Sequence, residues 1–160
     1  MTTNFPKPKS ARDIMATKLI TLAPDADVFD GIDLLIKHRI SGAPVVDANR
    51  ELLGLFTEMS CMKVLINAAY EQLPTSRVDA FMESNPITIS EDTDILSITQ
   101  LFVETQRRRL PVIRDGKVVG QVSRRDVIRA VSELMHTAPE RKSVLLYLSA
   151  LRNMDEAPEV

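Results

Sequence analysis

Arg109-Leu110-Pro111-Val112-Ile113-Arg114-Asp115-Gly116-Lys117-Val118-Val119-Gly120-Gln121-Val122-Ser123-Arg124-Arg125-Asp126 reads as strand, tight turn, strand and the start of a helix. Arg109 puts a cation at the mouth of the first strand, and Asp115-Gly116 suits a turn that needs φ > 0. Ser123 stands where a helix N-cap belongs, with an acid, Asp126, three residues on. A helix N-terminus attracts anions, because its first N–H groups lack intrahelical partners and the helix dipole is positive there. The stretch predicts a hairpin feeding a capped helix, with room for an anionic ligand near Ser123.

The same order recurs upstream. Ile20-Thr21-Leu22 is a short β-prone run and Ala23-Pro24-Asp25 a turn; Val28 to His38 then places Val28, Ile32, Leu35 and Ile36 on one helical face. Ala43-Pro44-Val45-Val46 reads as a strand with proline near its start, where a missing N–H is tolerated. Asp47 to Arg50 make a turn, Leu52 to Thr57 the return strand, and Met59 to Ala69 an apolar-rich helix, giving β-α-β-β-α. A shift of 67 residues carries Met15 onto Met82, Ile20 onto Ile87, Asp27 onto Asp94 and Pro44 onto Pro111; after the hairpin a shift of 66 carries Gly54 onto Gly120 and Thr57 onto Ser123. This is an internal duplication.

Each copy is too small for a comfortable core of its own, so the expected fold is α/β (α+β). The two repeats bury their sheet faces against each other about a pseudo-twofold axis, with two equivalent clefts where strand ends and helix starts meet. The expected organisation is a flexible lead-in over 1–12, repeat 1 over 13–70, a linker over 71–77 that contains Pro74, repeat 2 over 78–135, and a C-terminal helix and tail over 136–160. In that helix Val144, Leu145, Leu148 and Leu151 fall at helical spacing and suit a packing or dimer element.

Composition narrows the function classes. With 44% hydrophobic and 26% charged residues the chain has globular rather than disordered usage. A net charge of -2 argues against general nucleic-acid binding, and the absence of Trp leaves few stacking platforms for single strands. No apolar run reaches the roughly 18 residues of a membrane span. Cys61 is the single cysteine and no signal-peptide layout opens the chain, so a cytoplasmic location is expected. His38 and His136 lie near helix C-termini with no second ligand at metal spacing, so no metal site is expected. Cys61 and the seven Met read as packing residues. No P-loop, dinucleotide-binding or nucleophile-elbow motif is present, so neither catalysis nor a catalytic cofactor is indicated.

The duplicated order resembles a tandem pair of cystathionine β-synthase (CBS) domains, a Bateman module, over residues 11–135. Asp13-Ile14-Met15 is similar to the family's lead-in. Ile20-Thr21 with Pro24-Asp25, and Ile87-Thr88 with Glu91-Asp92, resemble its first strand and turn. Ala43-Pro44-Val45-Val46-Asp47 and Leu110-Pro111-Val112-Ile113 resemble its central strand, and Gly120 to Asp126 its Gly-x-x-Ser/Thr-x-x-Asp signature. The resemblance implies a non-catalytic regulatory or sensor module that binds an adenosine-containing ligand (AMP, ADP, ATP or S-adenosylmethionine) in the cleft between the repeats.

It further implies that Asp126 accepts from the ribose diol and Ser123 donates to phosphate. Arg109 resembles the phosphate-facing arginine in the nucleotide-sensing subunit of AMP-activated protein kinase, and the base is expected near Ile20, Gly42, Ala43 and Pro44. An ionised carboxylate suits the ribose role, since it can accept charge-assisted bonds from both vicinal hydroxyls. The first copy departs from the pattern: Ser60 replaces the acid and Gly42 stands where the second copy has Arg109. Thr57, Ser60 and Ile87 are therefore expected to mark a degenerate second site. The expected partners are the nucleotide, a second copy in a homodimer and an unknown regulated protein.

Other readings stand beside these. Ser123-x-x-Asp126 is also a capping box, and capping and ribose binding can be alternatives of unbound and bound forms. Arg107 and Arg108 fit a solvated helix end, whereas Arg124 and Arg125 fall in a first helical turn, where cations are disfavoured unless an anion, a ligand or Glu58, lies close. For the whole chain the alternative is a ligand-independent dimeric interaction or scaffold module with Val144 to Leu151 at its contact. Nucleotide hydrolysis is a weak third class, because no base, metal cluster or nucleophile is assembled.

Overall fold

A computed structural model describes residues 9–72, 75–137 and 141–155. The elements run α1 (Ala11–Ile14), α2 (Val28–His38), β1 (Gly42–Val46), β2 (Leu52–Thr57), α3 (Glu58–Tyr70), a 3-10 turn (Val78–Ala80), β3 (Glu83–Ser84), β4 (Ile89–Ser90), α4 (Ile95–Thr105), β5 (Arg109–Arg114), β6 (Lys117–Ser123), α5 (Arg124–Thr137) and α6 (Arg141–Asp155). The strands form two three-stranded sheets, ordered β1-β2-β3 and β4-β5-β6. The chain divides into two compact units. One takes Thr17–Thr88 with Ile113–Gly120; the other takes the chain up to Ala16, Ile89–Val112 and the chain from Gln121.

In the unit of β1–β3, α2 begins at Asp27, whose carboxylate accepts from the Phe29 N–H at 2.8 Å. It ends at Arg39 in the left-handed region, φ 52°. Val28, Gly31 and Leu35 form the buried face. Gly31 has no room for a side chain, since a Cβ there would stand 2.9 Å from Cε1 of Phe56, which is itself fully buried. The β1–β2 turn is an Asx turn in which Asp47 Oδ1 accepts from the N–H groups of Asn49 at 2.8 Å and Glu51 at 3.0 Å. Leu22, Val28, Leu35, Val45, Phe56 and Val64 are central to the core.

The expected first strand, Ile20-Thr21-Leu22, shrinks to one residue. Leu22 alone bridges Val45, through Leu22 N–H to Pro44 O at 2.9 Å and Val46 N–H to Leu22 O at 3.0 Å. The following turn, closed by Ala26 N–H to Ala23 O at 3.1 Å, leads the chain away at once. In its place β2 gains a partner that the sequence did not announce: β3 pairs with it antiparallel, Leu55 opposite Glu83 and Gly54 opposite Ser84. Gly54 permits this approach, because a Cβ on it would stand 2.5 Å from the Glu83 carbonyl oxygen.

In the other unit, α4 starts at Asp94, which accepts from Leu96 N–H at 2.9 Å and Ser97 N–H at 3.0 Å, and ends at left-handed Gln106, the counterpart of Arg39. The β5–β6 turn has Asp115 at φ 52° and Gly116 at φ 78°, the left-handed pair anticipated from Asp-Gly. Its tip is counted with the first-described unit, where Lys117 bridges Glu51 and Val118 N–H donates to Arg50 O at 3.2 Å. Ile87-Thr88 precede the short β4 rather than forming it. Ala16 pairs with Gln121 of β6 by two backbone bonds of 2.9 and 3.0 Å. Under the repeat Ala16 corresponds to Glu83 and Gln121 to Leu55, so the two lead-in pairings are copies of each other.

Of the expected loose lead-in, residues 1–8 lie outside the described residues and the rest is held. Lys9 N–H donates to the Tyr147 hydroxyl at 2.9 Å, Ala11 is fully buried, and Arg12 pairs with Glu91 at 3.2 Å and Asp92 at 3.0 Å. Pro74 of the linker, residues 138–140 and the tail from residue 156 also lie outside the described residues. Helix α6 buries Val144, Tyr147 and Leu151 and packs on α4 and α5. Leu145 is exposed and Leu148 half-buried, so the packing stripe differs from the expected one by taking Tyr147. Met59, Met62 and Met135 are exposed rather than packed.

Candidate functional site

The β6–α5 junction holds the signature residues. Leaving the sheet, Ser123 caps α5 while the Asp126 side chain returns to it. Asp126 Oδ2 accepts from the Ser123 N–H at 2.7 Å and from its hydroxyl at 2.8 Å, and the Asp126 N–H donates to Ser123 Oγ at 3.2 Å. This is a complete capping box. The other carboxylate oxygen, Oδ1, faces Arg129 at 3.7 Å. Arg124 donates from Nε to the Arg107 carbonyl at 2.9 Å, which ties the start of α5 to the loop after α4. Arg109 opens β5, the strand beside β6.

The β2–α3 junction repeats this with a different end group. Thr57 N–H donates to Ser60 Oγ at 3.0 Å and Ser60 N–H to Thr57 Oγ1 at 3.3 Å. Ser60 is only 3% exposed, whereas the Asp126 side chain keeps 16%. Gly42, Ala43 and Pro44 lie buried in β1 opposite Thr57, Phe56 and Leu55. Gly42 has a local reason to be small, since a Cβ would come within 3.2 Å of Thr57 Cγ2 and 3.3 Å of the Phe56 carbonyl oxygen. Ile20 and Ile87 are half-buried outside any strand.

The structure thus brings Ser123 together with Asp126, and Gly42 and Ser60 together with Thr57. Ile20, Gly42, Ala43, Pro44, Thr57, Ser60 and Ile87 belong to the unit of β1–β3, and Arg109, Ser123 and Asp126 to the other. A feature the sequence reading missed lies within that second unit: a cavity of 620 Å³ between α4 and α5, bounded by Phe102, Val103, Gln106, Arg108, Arg124 and Ile128 among others. Its one signal in the sequence was Arg124, a cation in a first helical turn, where the helix dipole disfavours it. Cys61 is buried, and burial pushes its thiol above the ordinary range. Among the described residues no three His, Cys, Asp or Glu side chains gather as metal ligands, and no helix is long and apolar enough to cross a membrane.

Comparison with known proteins places this geometry. The structure of CBSX2 from Arabidopsis thaliana in complex with AMP superposes with a TM-score of 0.72 at 27% identity, over 79% of this chain and 98% of that one. The CBS domain pair of MJ0100, in complex with 5′-methylthioadenosine and S-adenosyl-L-methionine, gives 0.69 at 25% identity over 79% and 98%. Among curated proteins, the A-adding tRNA nucleotidyltransferase of Aquifex aeolicus is 28% identical over 122 residues, 76% of this chain and 14% of that one. The chain spans less than half the length of such relatives. The CBS domain model matches twice, over residues 11–67 and 78–133. Those two matches fall on the two copies of the duplication and cover well over half of the 160 residues, so the chain belongs to the CBS domain family and carries the domain in tandem.

Proposed function

We propose that the chain is a non-catalytic, cytoplasmic regulatory module, with repeats over 13–70 and 78–135, that binds an adenosine-containing ligand such as AMP, ADP, ATP or S-adenosylmethionine. Asp126 takes the ribose hydroxyls, Ser123 and Arg109 the phosphate, and Ile20, Gly42, Ala43 and Pro44 the base. The positions Thr57, Ser60 and Ile87 form no competent counterpart. The observation that carries the reading is the Asp126 carboxylate. The copy at Ser60 builds the same cap from a hydroxyl, so the helix does not require an acid, and Oδ1 of Asp126 lies outside the cap. The adenosine ligands of CBSX2 and of the MJ0100 domain pair support the ligand class.

A ligand that binds only the folded chain stabilises it by about 2.7 kcal/mol at 100 times Kd, or about 5–10 °C for a domain of this size. A thermal-shift panel of AMP, ADP, ATP and S-adenosylmethionine is the test. At least one should raise Tm by that order, and no response to any of them at millimolar concentration would sink the reading.

An exposed apolar face favours a second reading, the homodimeric interaction module. Ile36, Met59, Met62, Leu65, Ile66 and Tyr70 on α2 and α3 are all at least half exposed, more than a solitary soluble surface normally leaves bare. A second copy presenting the same face is its self-complementary occupant. Val144 and Leu151 are already buried and cannot supply that contact as expected from the sequence. Sedimentation should show a dimer that Met62→Asp dissociates; a monomeric wild type removes this reading.

A further inference from the structure

We propose that Arg124 is a positioning residue for the phosphate site: its side chain holds the loop 106–108 and so sets how Arg109 enters β5. The inference rests on the phosphate role proposed above for Arg109, and a difference between the two copies carries it. In the first copy the loop after α2 is fastened through the main chain. Arg39 N–H donates to Ile36 O at 3.2 Å, Ile40 N–H to Leu35 O at 3.1 Å, and Glu58 N–H, at the start of α3, to Ser41 O at 3.0 Å.

The second copy ties the same loop differently. Gln106 N–H donates to Phe102 O at 3.1 Å and closes α4; the Arg124 side chain then reaches back 17 residues to give its Nε–H to the Arg107 carbonyl at 2.9 Å. Among the described residues no main-chain bond joins the Arg124 N–H to the Arg108 carbonyl, the counterpart of the bond from Glu58 to Ser41. Glu58 suits the first turn of a helix and Arg124 does not, since the dipole favours an acid there. The second copy thus accepts a disfavoured cation and gains a charge-assisted tie to a three-residue loop. Arg124 is exposed, so the tie fixes the loop rather than filling the core. At the end of that loop the first copy has Gly42, with no side chain to aim, and the second has Arg109.

Arg124→Met against Arg125→Met isolates the tie: each removes one cation from the first turn of α5, and only the first removes the bond to Arg107. Both positions are exposed, and an unchanged Tm confirms the fold. The readouts are calorimetric affinity for AMP and for adenosine, and the rate of trypsin cleavage after Arg107 and Arg108 without ligand. Arg124→Met should weaken AMP about threefold to tenfold more than Arg125→Met does and leave adenosine within about twofold. It should also speed cleavage in the loop, because the opened loop is the form that is cut. Arg124→Gln, whose amide nitrogen lies at the same reach as Nε, should restore both. Equal AMP affinities in the two Met variants, or an equal loss for adenosine, overturn the proposal. A loss for AMP without faster cleavage, or one that Arg124→Gln does not restore, overturns it in favour of a charge acting directly on the phosphate. A wild type that binds neither AMP nor adenosine fails the proposed function instead, and the cleavage rates then decide the tie alone.

Discussion

The β2–α3 and β6–α5 junctions are two copies of one device that end in different chemistry. Both leave a sheet through a hydroxyl N-cap, Thr57 or Ser123, and both return a side chain from the third helical position to the cap's N–H, at 3.0 Å from Ser60 and 2.7 Å from Asp126. One return group is neutral and buried; the other is charged, partly open and faced by Arg129. Capping explains what the junctions share. It does not explain the charge, and that difference between the copies is where the proposed ligand role of Asp126 can be separated from its capping role.

The largest effect that tests this is the loss of ligand binding in Asp126→Ser, which copies the first junction into the second. The cap survives in its neutral form, so unliganded stability should stay within about 1 kcal/mol, while the nucleotide-induced rise in Tm disappears. A variant that keeps the rise would show that the carboxylate only caps, and the two junctions would then be equivalent in function as well as in form.

The reverse exchange, Ser60→Asp, should act on stability. Ser60 is nearly sealed from solvent, so a carboxylate there must be desolvated. A cost of about 1–3 kcal/mol is expected in urea denaturation. No nucleotide response should appear, because Gly42 occupies the position of Arg109. A stable variant with a new response would mean that a single residue separates the copies.

The sequence revealed these junctions because their determinants are local. A hydroxyl, an acid three residues on, and Asp115-Gly116 in a two-residue turn need only neighbouring atoms to form. The duplication was legible for the same reason, as the caps Asp27 and Asp94 and the left-handed ends Arg39 and Gln106 recur at one spacing. What escaped depended on distant partners. Glu83-Ser84 and Ala16 have no β-prone composition, and their pairing with Leu55 and Gln121 is set by chain segments far away in sequence. Ile20-Thr21 has that composition but gains no ladder, and α6 buries Tyr147 because its hydroxyl finds the Lys9 N–H. The α4–α5 cavity depends on side chains from two helices and a loop, which no single stretch of sequence displays together.

A smaller effect compares the caps themselves. Thr57→Ala and Ser123→Ala each remove a hydroxyl that accepts from the third helical N–H, and each should cost about 0.5–2 kcal/mol. The losses should agree to within about 0.5 kcal/mol if both junctions are held as caps alone. A markedly smaller loss in Ser123→Ala would show that the Asp126 carboxylate gains from being released, as a group kept for a ligand would.

The smallest effect is at Cys61, whose counterpart in the second copy is the equally buried Val127. Cys61→Val imports the residue the duplicate already tolerates, so its effect at neutral pH should be under about 1.5 kcal/mol. The pH dependence is more informative. Burial, with a lesser contribution from the Glu58 charge, raises the thiol above its value in the unfolded chain. A raised thiol contributes stability that is complete below the unfolded value and is lost as pH rises through the folded one. Wild type and variant should therefore unfold with a constant difference in Tm up to the ordinary thiol range. Above it the wild type should lose ground, because only its unfolded chain can release the proton freely. A difference that stays constant into alkaline pH would mean that solvent reaches Cys61, and that the first copy's α3 packs less tightly on its sheet than the second copy's α5.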